Sequence, residues 1–190
     1  MLEQADILFA RKGFYGASIN DVAAAVNVSK QGLLHHFPTK EKLYAEVLQG
    51  AADKLMMMVS EAQGVSTDPR VQLQSVAEQM SRVDEESIRV ILLLSRELLD
   101  NRDRAEKAQQ WFLKPFLTGL EAMVTTGQEQ GVFAADVHPL SYIYQLLGAI
   151  QYYLMSLPTL QQLYTEKEYK EHQQEHLRLL NLTMERVLLV

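Results

Sequence analysis

Three helix-start signals, Ser18, Ser29 and Thr39, fall within one stretch of twenty-two residues, and that spacing limits what the N-terminal part of the chain can become. Each hydroxyl can accept from the free N–H groups of a first helical turn. Ser18-Ile19-Asn20-Asp21 adds a carboxylate three residues after the cap, an acidic form of the capping box, and opens a helix through Val22-Ala23-Ala24-Ala25-Val26. Asn27-Val28-Ser29 is then a three-residue turn. A second helix, Lys30 to Phe37, is closed by Pro38, because the residue before a proline is pushed out of the α region. Helix, three-residue turn and short helix is the helix-turn-helix arrangement, in which the first helix braces and the second enters the major groove of DNA.

The second helix sorts its side chains by face. At 3.6 residues per turn Leu33 and Phe37 share an apolar side that reads as core, leaving Lys30, Gln31, Leu34, His35 and His36 outside. These supply hydrogen-bonding groups, a cation and one alkyl contact on a helix narrow enough for the major groove. Gly32 costs roughly 1 kcal/mol against alanine in mid-helix and reads as a point where backbone approaches a phosphate or base edge. Thr39 and Lys40 open the next helix, whose free N–H groups and positive dipole end favour an anion. The candidate DNA contacts are therefore Ser18, Ser29, Lys30, Gln31, Gly32, Leu34, His35, His36, Thr39 and Lys40.

Phe9-Ala10-Arg11-Lys12-Gly13-Phe14, then Ala17 to Ala23, Val28-Ser29-Lys30, Leu33, His35-His36-Phe37 and Thr39 to Leu43 resemble, in order and spacing, the DNA-binding domain of TetR-family transcriptional regulators. The likeness covers about a quarter of the chain. Asn27 departs from it, standing where the family usually has glycine, and asparagine tolerates the left-handed region better than most side chains. Gln31-Gly32 replaces a common Gly-Thr pair, and Leu34 replaces a phosphate-contacting tyrosine. The resemblance implies an all-α fold of about nine helices, with a three-helix DNA-binding domain over residues 1–48 and an effector-binding and dimerisation domain over residues 49–190. It also implies a homodimer acting on a double-stranded DNA operator, a repressor released when a small molecule binds.

A net charge of −6 argues at first against DNA. Residues 1–50 hold five Lys/Arg and five Asp/Glu, however, so the whole excess of acid lies in residues 51–190. Lys30, Lys40 and Lys42 cluster around the proposed reading helix, and sequence-independent affinity comes from local phosphate neutralisation. There is no cysteine, which excludes disulfides, thiolate nucleophiles and cysteine-based zinc sites. The N-terminus lacks the pattern of a signal peptide, and the longest apolar run, Val90 to Leu94, is far short of a membrane span, so a cytoplasmic protein is expected.

The remainder reads as helix: Leu2 to Gly13, Lys40 to about Glu61, Arg70 to Arg82, Glu85 to Asn101, Arg104 to Gly127, Pro139 to Leu157 and Glu166 to Leu189. Ile88 to Leu99 is apolar nearly all round, which places it at a bundle centre, yet it contains Arg96 and Glu97. Arg96 either reaches an edge or orients a ligand. Pro115 lies within a helical pattern and should kink it beside Trp111, Phe112 and Phe116. With Met58, Arg96, Gln151 and Tyr152, these aromatics are the candidate effector pocket, although aromatic stripes are more often core. The family's dimer mode would use Leu140, Ile143, Leu147, Ile150 and Leu154 with Leu177, Leu180, Met184 and Val187.

His172 and His176, four apart on a helix, could share an ion, but a solvated polar face explains them better, so no metal or cofactor is expected. No phosphate loop or nucleophile elbow occurs, and nothing points to an enzyme. Two other classes remain: a helical interaction module without specific DNA binding, distinguished by DNA retention of a Lys30→Ala and Lys40→Ala pair, and a His-based metal enzyme, distinguished by metal content.

Overall fold

The computed structural model describes residues 1–100 and 111–188. These form nine α-helices and no strand: α1 (Leu2–Gly16), α2 (Ile19–Ala25), α3 (Lys30–His36), α4 (Lys40–Val65), α5 (Pro69–Met80), α6 (Glu85–Asp100), α7 (Lys114–Glu129), α8 (Pro139–Leu163) and α9 (Glu166–Leu188). They divide into two compact units. The first takes α1, α2, α3, α4 through Lys54, and α6; the second takes α4 from Leu55, then α5, α7, α8 and α9. One uninterrupted helix, α4, thus contributes to both.

In the first unit α6 packs along α1, so the helix expected at a bundle centre lies instead against the N-terminal one. An aromatic cluster explains the packing: Phe9 and Phe14 lie 4.9 Å and 5.0 Å, centroid to centroid, from the Tyr44 ring of α4. The phenol of Tyr44 donates to Glu97 Oε2 at 2.8 Å, and Glu97 is only 3% exposed. A buried carboxylate is costly unless it is hydrogen-bonded, and Tyr44 supplies a donor. Tyr44→Phe keeps the ring and removes that donor, so urea unfolding should show a loss of about 1–3 kcal/mol. An unchanged midpoint would mean that the bond contributes nothing net.

Gly13 has φ +69°, which breaks α1 internally rather than ending it, and the chain resumes one helical turn to Gly16. The Phe14 N–H exposed by that break donates to Asp100 Oδ2 of α6 at 3.3 Å. A Cβ on residue 13 would lie 3.1 Å from the same oxygen, so glycine is required for both conformation and space. Arg89 with Asp6, at 3.2 Å, fastens α6 to α1 again.

In the second unit α5, α7, α8 and α9 surround a core that includes Leu73, Leu120, Met123, Ile143, Ile150 and Leu154. Pro115 does not kink a helix here. It sits in the first turn of α7, where its missing N–H has no helical partner to lose. The part of the expected Arg104–Gly127 helix up to residue 110 lies outside the described residues. Pro158 is likewise no terminator: α8 runs on to Leu163 and is closed by Tyr164 N–H to Leu160 C=O at 3.1 Å. Among the described residues no helix is long and apolar enough to cross a membrane.

Candidate nucleic-acid interface

The α2–α3 junction is built by its caps. The Asp21 N–H donates to Ser18 Oγ (3.1 Å) and the Ser18 N–H to Asp21 Oδ2 (3.0 Å), completing the capping box. At the other end Val28 N–H reaches Ala23 C=O (3.0 Å) and Asn27 N–H reaches Ala24 C=O (3.2 Å), a Schellman closure. Asn27 sits at φ +53°, the left-handed conformation the turn demands. Ser29 then caps α3, its Oγ accepting from Gly32 N–H at 3.0 Å. Because both ends of the turn are fixed, the start of α3 is held relative to α2.

Leu33 is fully buried and anchors α3, whereas Phe37 is its C-cap and only half-buried. Lys30, Gln31, His35 and His36 are exposed, and Leu34 is half-buried. His35 and His36 meet edge to face, ring centroids 5.6 Å apart. A methyl on Gly32 would stand 3.3 Å from Ser29 Oγ, so the cap itself gives this position a local reason to lack a side chain.

Thr39 Oγ1 accepts from Lys42 N–H at 3.2 Å and caps α4. The Lys40 ammonium lies over the Phe14 ring, 4.3 Å from its centroid. Such a cation–π contact is worth about 0.5–1 kcal/mol at an exposed site, whereas a hydrogen bond to a charged group is worth about 1.5–3. A phosphate within reach therefore wins Lys40 away from Phe14. Ser18 is exposed at the start of α2, but its neighbour there is an acid. Hydrogen bonds from the Ser18 side chain and backbone hold the Asp21 carboxyl below the usual carboxylate range, so it stays charged, partly offset by Lys12 at 3.5 Å. For an incoming phosphate the start of α2 is thus less favourable than that of α3, which has no acid in its first turn. Tyr15, which no local sequence signal marks, stands exposed beside this region, edge-on to Phe14 at 5.3 Å.

The other candidate sites fare differently. Arg96, Trp111 and Phe112 belong with the first unit, while Met58, Phe116, Gln151 and Tyr152 belong with the second. Arg96 is exposed and donates to Arg11 C=O at 3.2 Å, which is the edge role. Phe116 is core, and Tyr152 is 79% exposed. Of the proposed dimer residues, Ile143, Ile150, Leu154, Leu180 and Met184 are buried inside the protomer and unavailable to a partner. Leu140 and Leu147 are half-buried, and Leu177 and Val187 are exposed.

The apolar face α8 leaves open is a different stripe, Tyr144, Gly148, Tyr152 and Met155, recurring every three or four residues. His176 stacks on Tyr153 at 3.7 Å, and burial lowers its pKa, while His172 packs against Tyr164 at 4.7 Å. Among the described residues no group of three His, Cys, Asp or Glu is placed to hold a metal ion.

The profile described as bacterial regulatory proteins, tetR family, matches residues 1–47, and that of the tetracyclin repressor-like C-terminal domain matches residues 69–184. The chain belongs to the TetR family of bacterial regulatory proteins. It is 35% identical over 78 residues to the transcriptional activator FasR of Mycolicibacterium smegmatis, covering 41% of this chain and 36% of FasR. It is 32% identical over 76 residues to the transcriptional repressor KstR2 of Rhodococcus jostii, covering 40% of this chain and 37% of that protein. Each match thus spans little more than a third of the relative's length. The structure of the ketosteroid transcriptional regulator KstR2 of Mycobacterium tuberculosis shares the fold, with TM-score 0.69 and 18% identity over 100% of this chain and 93% of that one.

Proposed function

We propose that this chain is a dimeric, ligand-responsive DNA-binding regulator, acting as a repressor, that reads a palindromic operator through the outer face of α3. The observation that carries the reading is the combination in α3 of one fully buried anchor, Leu33, with an exposed face of Lys30, Gln31 and His35 set behind a capped turn. A dimer places two such helices in successive major grooves, about one helical turn apart. A ligand held by residues 49–190 would shift the population toward a head spacing that no longer matches the half-sites. The repressor KstR2 is the precedent for the sign. The activator FasR shows that the α3 reading alone does not fix it, and a promoter-reporter assay does.

Phosphate grip gives the direct test. Lys40→Ala should weaken binding to specific and unrelated DNA about equally and lower the slope of log affinity against log salt by roughly 1, as expected when one phosphate contact is lost. Titrations at several salt concentrations measure it. An unchanged slope removes Lys40 from the contact set, and a parent protein that shows no salt-dependent DNA binding at all rejects the function.

A further inference from the structure

A cleft of about 180 Å³ opens in the second unit between α5, the turn after α7 and α9. Its floor is apolar, made by Leu73, Phe133 and Met184, all buried. Its rim carries Arg70 and Gln74 from α5 and Asn181 and Glu185 from α9.

The wall holding Phe133 is preformed. Gly131 at φ +69° closes α7, with Val132 N–H to Gly127 C=O at 2.9 Å and Gly131 N–H to Gln128 C=O at 3.0 Å. The Gln128 amide donates to the carbonyls of Ala134 (2.8 Å) and Val137 (2.7 Å), pinning the rest of the turn. The Phe133 ring rests on the bare backbone of Gly127, where a Cβ would fall 2.1 Å from it. A ligand therefore meets a fixed surface and does not have to order one.

The chemistry of the rim is lopsided. The donors on α5 are partly engaged nearby: the Arg70 guanidinium reaches Asp68 through Nε and Nη2, the latter to Oδ2 at 2.6 Å, and the Gln74 amide donates to Glu78 at 2.9 Å. On α9, by contrast, Asn181 Oδ1 is buried with no hydrogen-bond partner among the described residues, one turn from the Glu185 carboxylate. Buried acceptors are normally satisfied, so an unmet one beside an apolar cleft marks a place for a donor.

We propose that this cleft binds a small organic ammonium with an apolar body, its N–H groups meeting the Glu185 carboxylate and, once the Asn181 side chain turns toward the cleft, Asn181 Oδ1, and its body lying on Leu73, Phe133 and Met184. Size limits the ligand. An apolar cavity of roughly 150 Å³ admits benzene, whereas sites for drug-sized molecules run to roughly 300–1,000 Å³. Benzylammonium is therefore a suitable probe, and its binding is measured without DNA, independently of the regulatory function.

Calorimetric titration of the full chain with benzylammonium, benzyl alcohol and benzoate tests the site. Saturable binding is expected, with benzylammonium about tenfold tighter than benzoate because the Glu185 carboxylate attracts the ammonium and repels the benzoate. Asn181→Leu and Glu185→Gln should each weaken the ammonium severalfold while leaving benzyl alcohol less affected, and if Asn181→Leu fails to fold, Glu185→Gln decides alone. Absence of saturable binding, equal affinity for benzoate, or ammonium affinity unchanged in the folded variants overturns the proposal.

Discussion

A Tyr152→Glu protein is expected to sediment as a monomer at concentrations where the parent is a dimer, and to lose operator binding with it. The helix carrying this residue has two apolar faces. Tyr142, Ile143, Leu146, Ile150, Leu154 and Leu157 fill the protomer's own core, and Tyr144, Gly148, Tyr152 and Met155 face outward. Among the described residues a Cβ on Gly148 would meet nothing within 4 Å, so the middle of the outer stripe leaves room for a second helix to approach closely. Truncating one central aromatic in such an interface commonly costs about 2 kcal/mol or more. That alone is roughly a thirtyfold weaker dimer, before the repulsion of two glutamates across the two-fold axis. Because Tyr152 is 79% exposed in the protomer, helical content should stay at the parental level. A Tyr152→Glu protein that remains dimeric at micromolar concentration would move the interface elsewhere.

A loss of stability is also expected from a single methyl. Gly127→Ala gains roughly 1 kcal/mol in helix propensity, yet its Cβ would fall 2.1 Å from the Phe133 ring, a distance at which something must move. Phe133 is almost wholly buried and its turn is held by five hydrogen bonds through Gly127 and Gln128, so the ring has little room to retreat. Overpacking of this kind costs about 1–3 kcal/mol and can exceed it, so the clash outweighs the propensity. Thermal unfolding should show a lowered midpoint. A midpoint at or above the parent's would mean that the ring yields freely.

How much of this was legible beforehand follows from the range of each interaction. Caps, turns and breakers act within four residues, so Ser18, Asn27, Ser29 and Thr39 set the limits of α2, α3 and the start of α4 from sequence alone. Pro115 shows where local reading fails: a proline inside a pattern and a proline opening a helix look alike when the upstream stop is not written locally. The faces of α8 fail for another reason. Two apolar stripes share one helix, and only the packing of α5, α7 and α9 decides which is inside. Glu97 is the sharpest case, since its partner Tyr44 lies 53 residues away and nothing near either residue announces the pair. Of the two adjacent charges, Arg96 is exposed and Glu97 is buried, a difference that helical periodicity alone does not resolve. The cleft beside Asn181 joins three elements distant in sequence and was beyond local reading for the same reason.

The central claim is that α3 reads bases, and it is tested most directly by sequencing the DNA retained from a random pool by the parent and by Gln31→Ala. A glutamine amide pairs bidentately with adenine N6 and N7, a contact worth about 1–3 kcal/mol of discrimination. The parent should enrich an inverted repeat whose half-sites are centred about one helical turn, or a multiple of it, apart. Each half-site should contain an A·T pair that becomes free to vary in Gln31→Ala while overall affinity for unrelated DNA stays nearly unchanged. An enriched pool without inverted symmetry, or identical base preferences for the two proteins at every position, would contradict the account.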